Sequence, residues 1–333
     1  MRGYSITKKD INTTNLFWEK LDQITNEIPE FSSLYSRETT NYFEKKNIIK
    51  GIEFRDLSFI LNYDDKPISA FLGNVISKDN DISIKYFDIP CLFLEVKIGL
   101  TSKQKKKYYS LIDEILKIPY RYRQFSGINK NGKISYGIDY LLQKELKITK
   151  NIFSRKIDLN NSEQFIKSNI RKCYHSLINW GLRELDLKIF DSSNIKTEDI
   201  MNLRDLHIKE AGRITRSKES WIAQYEQIKF GSSFMISGFL NNELVTSGIF
   251  NCNKNYCYYA VSASRRDLFK KPLFHSVMWK AIIYAKSKDF QIFDTGYDYY
   301  EGSLSEKPSK KESKIAYFKS GFGGRLHHDI IVS

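Results

Sequence analysis

Residues 234–294 restrict the fold more than any other part of the chain. Phe234-Met-Ile-Ser-Gly-Phe-Leu240 is an apolar, strand-forming run that turns at Asn241-Asn242 into 244–250. A second bend, Asn253-Lys-Asn255, leads into 256–262. Asparagine tolerates positive φ, so both bends suit hairpins. Next comes a helical pattern over 273–288, with Phe274, Val277, Met278, Ala281 and Ala285 on one stripe. A strand over 290–294 closes the unit, which reads on into Asp294-Thr-Gly296. A strand, a basic loop, a helix and a strand ending in Asp-x-Gly are a common way of holding an anionic, phosphate-bearing donor.

The remainder follows a similar order. At 333 residues the length favours two domains, and the pattern places their boundary near residue 150. In the first half, 12–46 reads as two helices broken at Pro29. A hairpin joins 57–61 to 68–72 through Asp64-Asp65, and strands over 82–87 and 92–98 continue the sheet. A helix over 102–117 and a strand over 120–125 complete this half. The second half opens with one helix over 163–181, then helices over 197–210 and 221–228, then the unit described above. The fold class expected is α/β (α+β): two domains, 1–150 and 151–333, each a mixed, mostly antiparallel sheet flanked by helices. The two halves are alike in pattern, not in residues. The Ser-, Glu- and Lys-containing segment 302–311 is expected to be a mobile loop where a lid could sit.

Net charge is +14, which favours anionic partners: nucleic acid, an acidic membrane face or phosphorylated substrates. The basic residues are dispersed, apart from a run at 103–107 on an expected helix face. Hydrophobic residues at 41% suffice for real cores and argue against disorder. No apolar run is long enough to span a bilayer, and Met1 to Asp10 lacks the apolar stretch of a secretion signal. A cytoplasmic protein is expected. Cys91, Cys173, Cys252 and Cys257 form no zinc-type spacing and read as reduced thiols. There is no Walker loop, Rossmann glycine fingerprint, nucleophile triad or metal-ligand cluster, so direct transfer without metal is expected.

The element order resembles the acetyltransferase fold of the GNAT superfamily, in which acyl-coenzyme A lies between two splayed strands. The Gly-rich phosphate loop of that superfamily is absent here, and Phe269, Lys270, Lys271 and Pro272 occupy its place. Doubled domains of this kind resemble the FemABX aminoacyl transferases. Three stretches carry the likeness: Ile170-Arg-Lys-Cys-Tyr174 followed by Gly181, Phe293-Asp-Thr-Gly296, and Phe318-Lys-Ser-Gly-Phe-Gly323. A fourth, from His207 to Trp221, is similar to a subgroup associated with surface polysaccharides. The likeness is good over 165–326 and weak over 1–150. It implies transfer of an acyl or aminoacyl group, from acyl-CoA or aminoacyl-tRNA, to an amine on a nucleotide-linked or acidic sugar. The long charged arm that some relatives use for tRNA is not evident.

Acyl transfer to an amine needs a neutral nitrogen, a stabilised oxyanion and a leaving group that can depart. Lys319, matched to the lysine of the Phe-Lys-x-x-Phe motif, is the candidate for charge stabilisation. Asp294 is the candidate to hold or deprotonate the amine. His207 and Glu210, on one helix face, are candidate bases. Arg213 and Arg216 suit a carboxylate or diphosphate on the substrate. Tyr259 is placed to donate to an oxyanion, and His275 to point into the same cleft. Arg265, Arg266 and Lys270 are candidates for donor phosphates. Two other classes compete: a non-catalytic RNA-binding module, marked by a steep salt dependence, and a peripheral protein that meets anionic glycolipids through its basic helices.

Overall fold

The computed structural model describes residues 3–49, 51–78, 81–96, 99–128, 134–300 and 307–333. Among the described residues twelve strands join into one mixed sheet that runs through both halves, and four more form a smaller sheet. From one edge the large sheet reads Tyr4–Lys8, Phe59–Tyr63, Lys66–Leu72, Cys91–Glu95, Phe125–Gly127 and Arg325–Val332. It continues through Ile148–Asp158, Ile292–Asp298, Tyr256–Ser264, Glu243–Asn253, Ser233–Leu240 and Asp186–Phe190.

Each half contains the same motif. Phe59–Tyr63, Lys66–Leu72 and Cys91–Glu95 run antiparallel; the helix Ser102–Leu116 then returns the chain so that Phe125–Gly127 lies parallel to Cys91–Glu95. Ser233–Leu240, Glu243–Asn253 and Tyr256–Ser264 repeat this, with the helix Leu273–Ser287 leading to the parallel strand Ile292–Asp298. A parallel pair needs such a crossover, because a tight turn cannot join its ends. Side chains alternate between faces of the sheet. Phe234 and Ile236 pack with Val277, Met278 and Ile282 of Leu273–Ser287. Met235 and Ile249 pack on the other face with Leu203 and Trp221.

Several expectations are corrected. The helix expected over 163–181 is two, Glu163–Ser168 and Lys172–Glu184, because the Arg171 N–H leaves the helical pattern to donate to Gly321 O at 2.8 Å. The strand expected over 120–125 is divided: Tyr122–Arg123 joins the small sheet and Phe125–Gly127 the large one. Asn241 and Asn242 have positive φ as expected, but the turn at 254–255 does not. That turn is tied to the first half instead: Asn253 Nδ2 donates to Phe31 O at 2.9 Å and Lys254 reaches Asp22 and Asn26. Residues 301–306 of the expected lid lie outside the described residues, and Lys310–Ser320 is helical, its start fixed by a reciprocal Ser309–Glu312 capping box.

Strands Ile148–Asp158, Asp186–Phe190 and Arg325–Val332 were not foreseen. Residue 150 falls inside Ile148–Asp158, which pairs along its length with Arg325–Val332. The latter continues to the first half through Val332 and Phe125, and Ile330 and Val332 sit in the core of that half. The end of the chain therefore holds the halves together. A second junction packs the helix Arg37–Ile49 against Lys218–Lys229. There Arg216 lies 3.9 Å over the Trp221 ring and donates to Gln224 Oε1 at 3.1 Å and to Tyr42 Oη at 3.4 Å. Arg216→Ala is expected to cost roughly 2 kcal/mol, measurable as a lower Tm; an unchanged Tm would remove Arg216 from this junction. No helix among the described residues is long and apolar enough to cross a membrane.

Candidate active site

The parallel pairing of Tyr256–Ser264 with Ile292–Asp298 covers Tyr256 to Tyr258 opposite Ile292 to Asp294. Beyond Asp294 the two strands separate. Tyr256–Ser264 bulges at Ala260, since Ile249 pairs with Val261 but Phe250 with Tyr259, and bulges increase local twist. Gly296 turns the departing strand with φ +86°, a conformation that a side chain resists, and a Cβ at that position would lie 2.7 Å from Lys319 Nζ. Glycine thus lets the ammonium reach the strand.

Lys319 lies in the last turn of Lys310–Ser320. Its Nζ donates to Tyr297 O at 3.4 Å and stands 5.5 Å from the centre of the Tyr259 ring. Burial lowers its pKa, while Asp294 and Asp298 act to raise it. Asp294 is 4% exposed. Its Oδ1 accepts from the Gly296 N–H at 2.6 Å and its Oδ2 from the Tyr256 hydroxyl. Burial raises the Asp294 pKa, against the opposing pull of Lys156, these hydrogen bonds and Lys319. A buried carboxyl with a raised pKa thus stands near a buried lysine with a lowered one, the kind of tuning that acid–base chemistry uses.

Two of the sequence motifs meet here as a clamp. Arg171 donates to Tyr317 O at 3.2 Å and Ser320 Oγ at 3.1 Å, and stacks 3.9 Å over the Tyr317 ring. The Tyr174 hydroxyl donates to Phe318 O at 3.2 Å. A Cβ at Gly321 would stand 2.2 Å from the Tyr174 ring, so glycine permits the approach. Ile170 to Tyr174 and Phe318 to Gly323 therefore fix one another, and through them the stem of Lys319.

Among the expected site residues, Lys319 stands near both Tyr259 and Asp294. The Tyr259 hydroxyl shares a hydrogen bond with Ser262 Oγ, and burial pushes its pKa up to about 12, so it remains a protonated donor. Glu210 stands elsewhere, accepting from the Arg266 N–H at 2.9 Å. Arg265 is paired with Glu243 at 2.6 Å and Asp267 at 2.5 Å. Lys270 lines an open groove with Lys271, Trp180 and Arg183. The loop amides of Leu268, Phe269, Lys271 and Leu273 already donate to carbonyls within the loop. His207 meets Thr215 Oγ1 at 3.3 Å and the edge of Trp221, and burial lowers its pKa. Arg213 is exposed on the turn after the helix Thr197–Ala211, and Arg216 serves the junction described above. His275 does not open into the slot. Its ring is caged by Tyr174, Phe318 and Phe322, and burial lowers its pKa to about 4.

Sequence reasoning missed Lys156, Tyr256, Tyr258, Tyr297 and Asp329, which gather around Asp294. The signal for Lys156 was the alternation Ile152, Ser154, Lys156, hidden by reading 147–151 as a boundary. Nothing local marks Asp329; only its strand's pairing places it. Arg155, also missed, forms an ion pair with the buried Asp298 at 2.7 Å. Among the described residues, no group of three or more His, Cys, Asp or Glu is arranged to hold a metal.

Two mixed-sheet units, each with a parallel crossover, joined edge to edge with a strand splay in the second, make a doubled GNAT-type fold. Solved structures share it at low identity. A structure described as FemX matches with a TM-score of 0.64 at 10% identity, covering 89% of this chain and 91% of that one. The C-terminal domain of a putative lysylphosphatidylglycerol synthetase from Agrobacterium fabrum matches with a TM-score of 0.56 at 9% identity, covering 94% and 91%. A tandem GNAT protein from the clavulanic acid biosynthesis pathway matches with a TM-score of 0.51 at 7% identity, covering 100% and 98%. No family model and no curated protein sequence matches this chain.

Proposed function

We propose that this protein is an N-acyl or aminoacyl transferase that joins an activated acyl group to an amine by direct transfer. The observation that carries the reading is the buried Lys319 ammonium beside Asp294, where the two strands part. Lys319 and the Tyr259 hydroxyl are donors to a developing oxyanion, which a preorganised site stabilises more than water does. Asp294 accepts the proton of the attacking nitrogen. The donor is an acyl-coenzyme A thioester or an aminoacyl-tRNA ester. The bonds that the Leu268, Phe269, Lys271 and Leu273 N–H groups already make within the loop weaken the backbone grip on a pyrophosphate that a free helix N-terminus offers, which favours a donor held by side chains such as Lys270 and Lys271. Surface-glycan precursors bearing an amino sugar are the acceptors suggested by the sequence resemblance, and the cytoplasm is the compartment where such precursors meet either donor.

The test supplies the full chain with acyl-coenzyme A or charged tRNA and a panel of amines, and tracks acceptor mass. A gain equal to the acyl group, dependent on the protein, is expected. Absence of any acylated product across both donor classes and the whole panel would remove the proposal.

A further inference from the structure

Cys252 and Cys257 stand directly across from each other on the strands Glu243–Asn253 and Tyr256–Ser264. The Cys252 N–H donates away from this pair, to Ser232 O at 2.7 Å, toward the strand Ser233–Leu240. The N–H and C=O of one strand residue point to the same neighbour, so the two cysteines form a non-hydrogen-bonded pair. The Cα atoms of such a pair lie about 4.5 Å apart with close side chains. A disulfide spans Cα separations of roughly 4.4–6.8 Å, so this pair can be bridged without a backbone shift. Both side chains enter the same core cluster, and the two thiols are hydrogen-bond partners. The other cysteines, buried Cys91 and exposed Cys173, belong to the strand Cys91–Glu95 and the helix Lys172–Glu184.

The pair has a route to solvent. Cys252, 3% exposed, lines a groove of about 450 Å³ between the halves, with Trp18, Asp22 and Phe31 on one side and Lys254 and Phe290 on the other. Cys257 lies deeper, opposite Phe293 in the parallel pair, and burial raises its pKa well above the ordinary thiol value. A small oxidant therefore meets Cys252 first, and Cys257 stands behind it as the resolving thiol. The hairpin between them is the one tied to the first half, through Asn253 to Phe31 O and Lys254 to Asp22. A cross-link at its base stiffens that junction.

We propose that Cys252 and Cys257 are a site of reversible disulfide formation that staples this hairpin, with a low-molecular-weight disulfide of the glutathione kind as oxidant. The Cys252 thiolate attacks one sulfur of the oxidant. The S–S bond breaks, and the released small thiolate takes up the proton that Cys252 lost. The Cys257 sulfur then attacks the Cys252 sulfur of the mixed disulfide. The second small thiolate departs with the Cys257 proton. Two protein thiols are thereby oxidised, and one small disulfide is reduced to two thiols. The staple lies beside Tyr256, whose hydroxyl bonds Asp294, and leaves that bond in place because the backbone does not move. The proposal stands apart from the acyl-transfer reading.

The experiment treats the full chain carrying Cys173→Ser with glutathione disulfide, blocks the remaining thiols, and digests with trypsin without reductant. Trypsin cuts after Lys229, Lys254 and Arg265, so the bridge joins peptides 230–254 and 255–265. The joined species is expected to predominate and to separate with dithiothreitol. Cys252→Ser is expected to abolish it with the circular-dichroism spectrum unchanged; Cys257→Ser is the second variant should the first misfold. The oxidised protein is expected to melt higher than the reduced one, because a closed loop restricts the unfolded chain. Glutathione adducts on Cys252 without joined peptides, or joining that occurs only in denaturant, overturn the proposal. A joined species that melts no higher than the reduced protein overturns the staple.

Discussion

Lys319→Met is expected to lower kcat by about 10²–10³-fold, the loss typical of one oxyanion donor, while the folded protein survives. Methionine keeps an unbranched stem against Tyr259 and removes the charge together with its long hydrogen bond to Tyr297 O. Linkage sets the sign of the stability effect. Burial depresses the Lys319 pKa below its ordinary value, so the folded state binds this proton less well than the unfolded chain does. At neutral pH the charged lysine therefore opposes folding, and the variant's Tm is expected to be no lower than that of the parent. Initial rates with the working donor and amine, beside a melting curve, check both halves. A variant with full kcat would show that Lys319 is structural.

Asp294→Asn is expected to cost about 10²–10⁴-fold in kcat/KM, the range for losing a general base, and to flatten the acidic limb of the pH profile. The parent's kcat/KM should rise with pH through an inflection above about 4, the ordinary carboxylate value, because burial raises the Asp294 pKa. Stability moves the other way. A carboxyl whose folded pKa is raised contributes stability fully present below its unfolded pKa, near 4, and lost as pH rises through the higher folded value. The asparagine variant is therefore expected to be less active and, at neutral pH, no less stable. A surviving acidic limb of unchanged midpoint would transfer the base role to another group. The opposition of activity and stability at both residues separates a site from a packing defect, which would lower the two together.

Much of the fold was legible in the sequence because it is locally encoded. The meander of 234–262 shows itself by apolar runs and asparagine bends, and Leu273–Ser287 by its stripe of Phe274, Val277, Met278, Ala281 and Ala285. The motifs that contain Lys319 and Asp294 named them as candidates, and the structure sets the two near each other. The motifs did not reveal that Arg171 and Tyr174 clamp the backbone around Lys319 from far away in the chain. His275 shows the limit from the other side. Its place at a helix start suggested the cleft, but in the helix's first turn its ring faces Tyr174 and Phe322.

The amino-acid pattern alone determined the meander of 234–262, the helices Ser102–Leu116 and Leu273–Ser287 and the doubled order of the halves, since periodicity and turn chemistry act over a few residues. Tertiary structure decided the rest. It set Ile148–Asp158 and Arg325–Val332 side by side, carried the chain's end into the core of the first half, and closed Glu30, Lys156, Asp294 and Asp329 around one small space. The pairing of Ile148–Asp158 with Arg325–Val332 depends on partners far apart in the chain, and the surroundings of a cavity exist only once its walls have met.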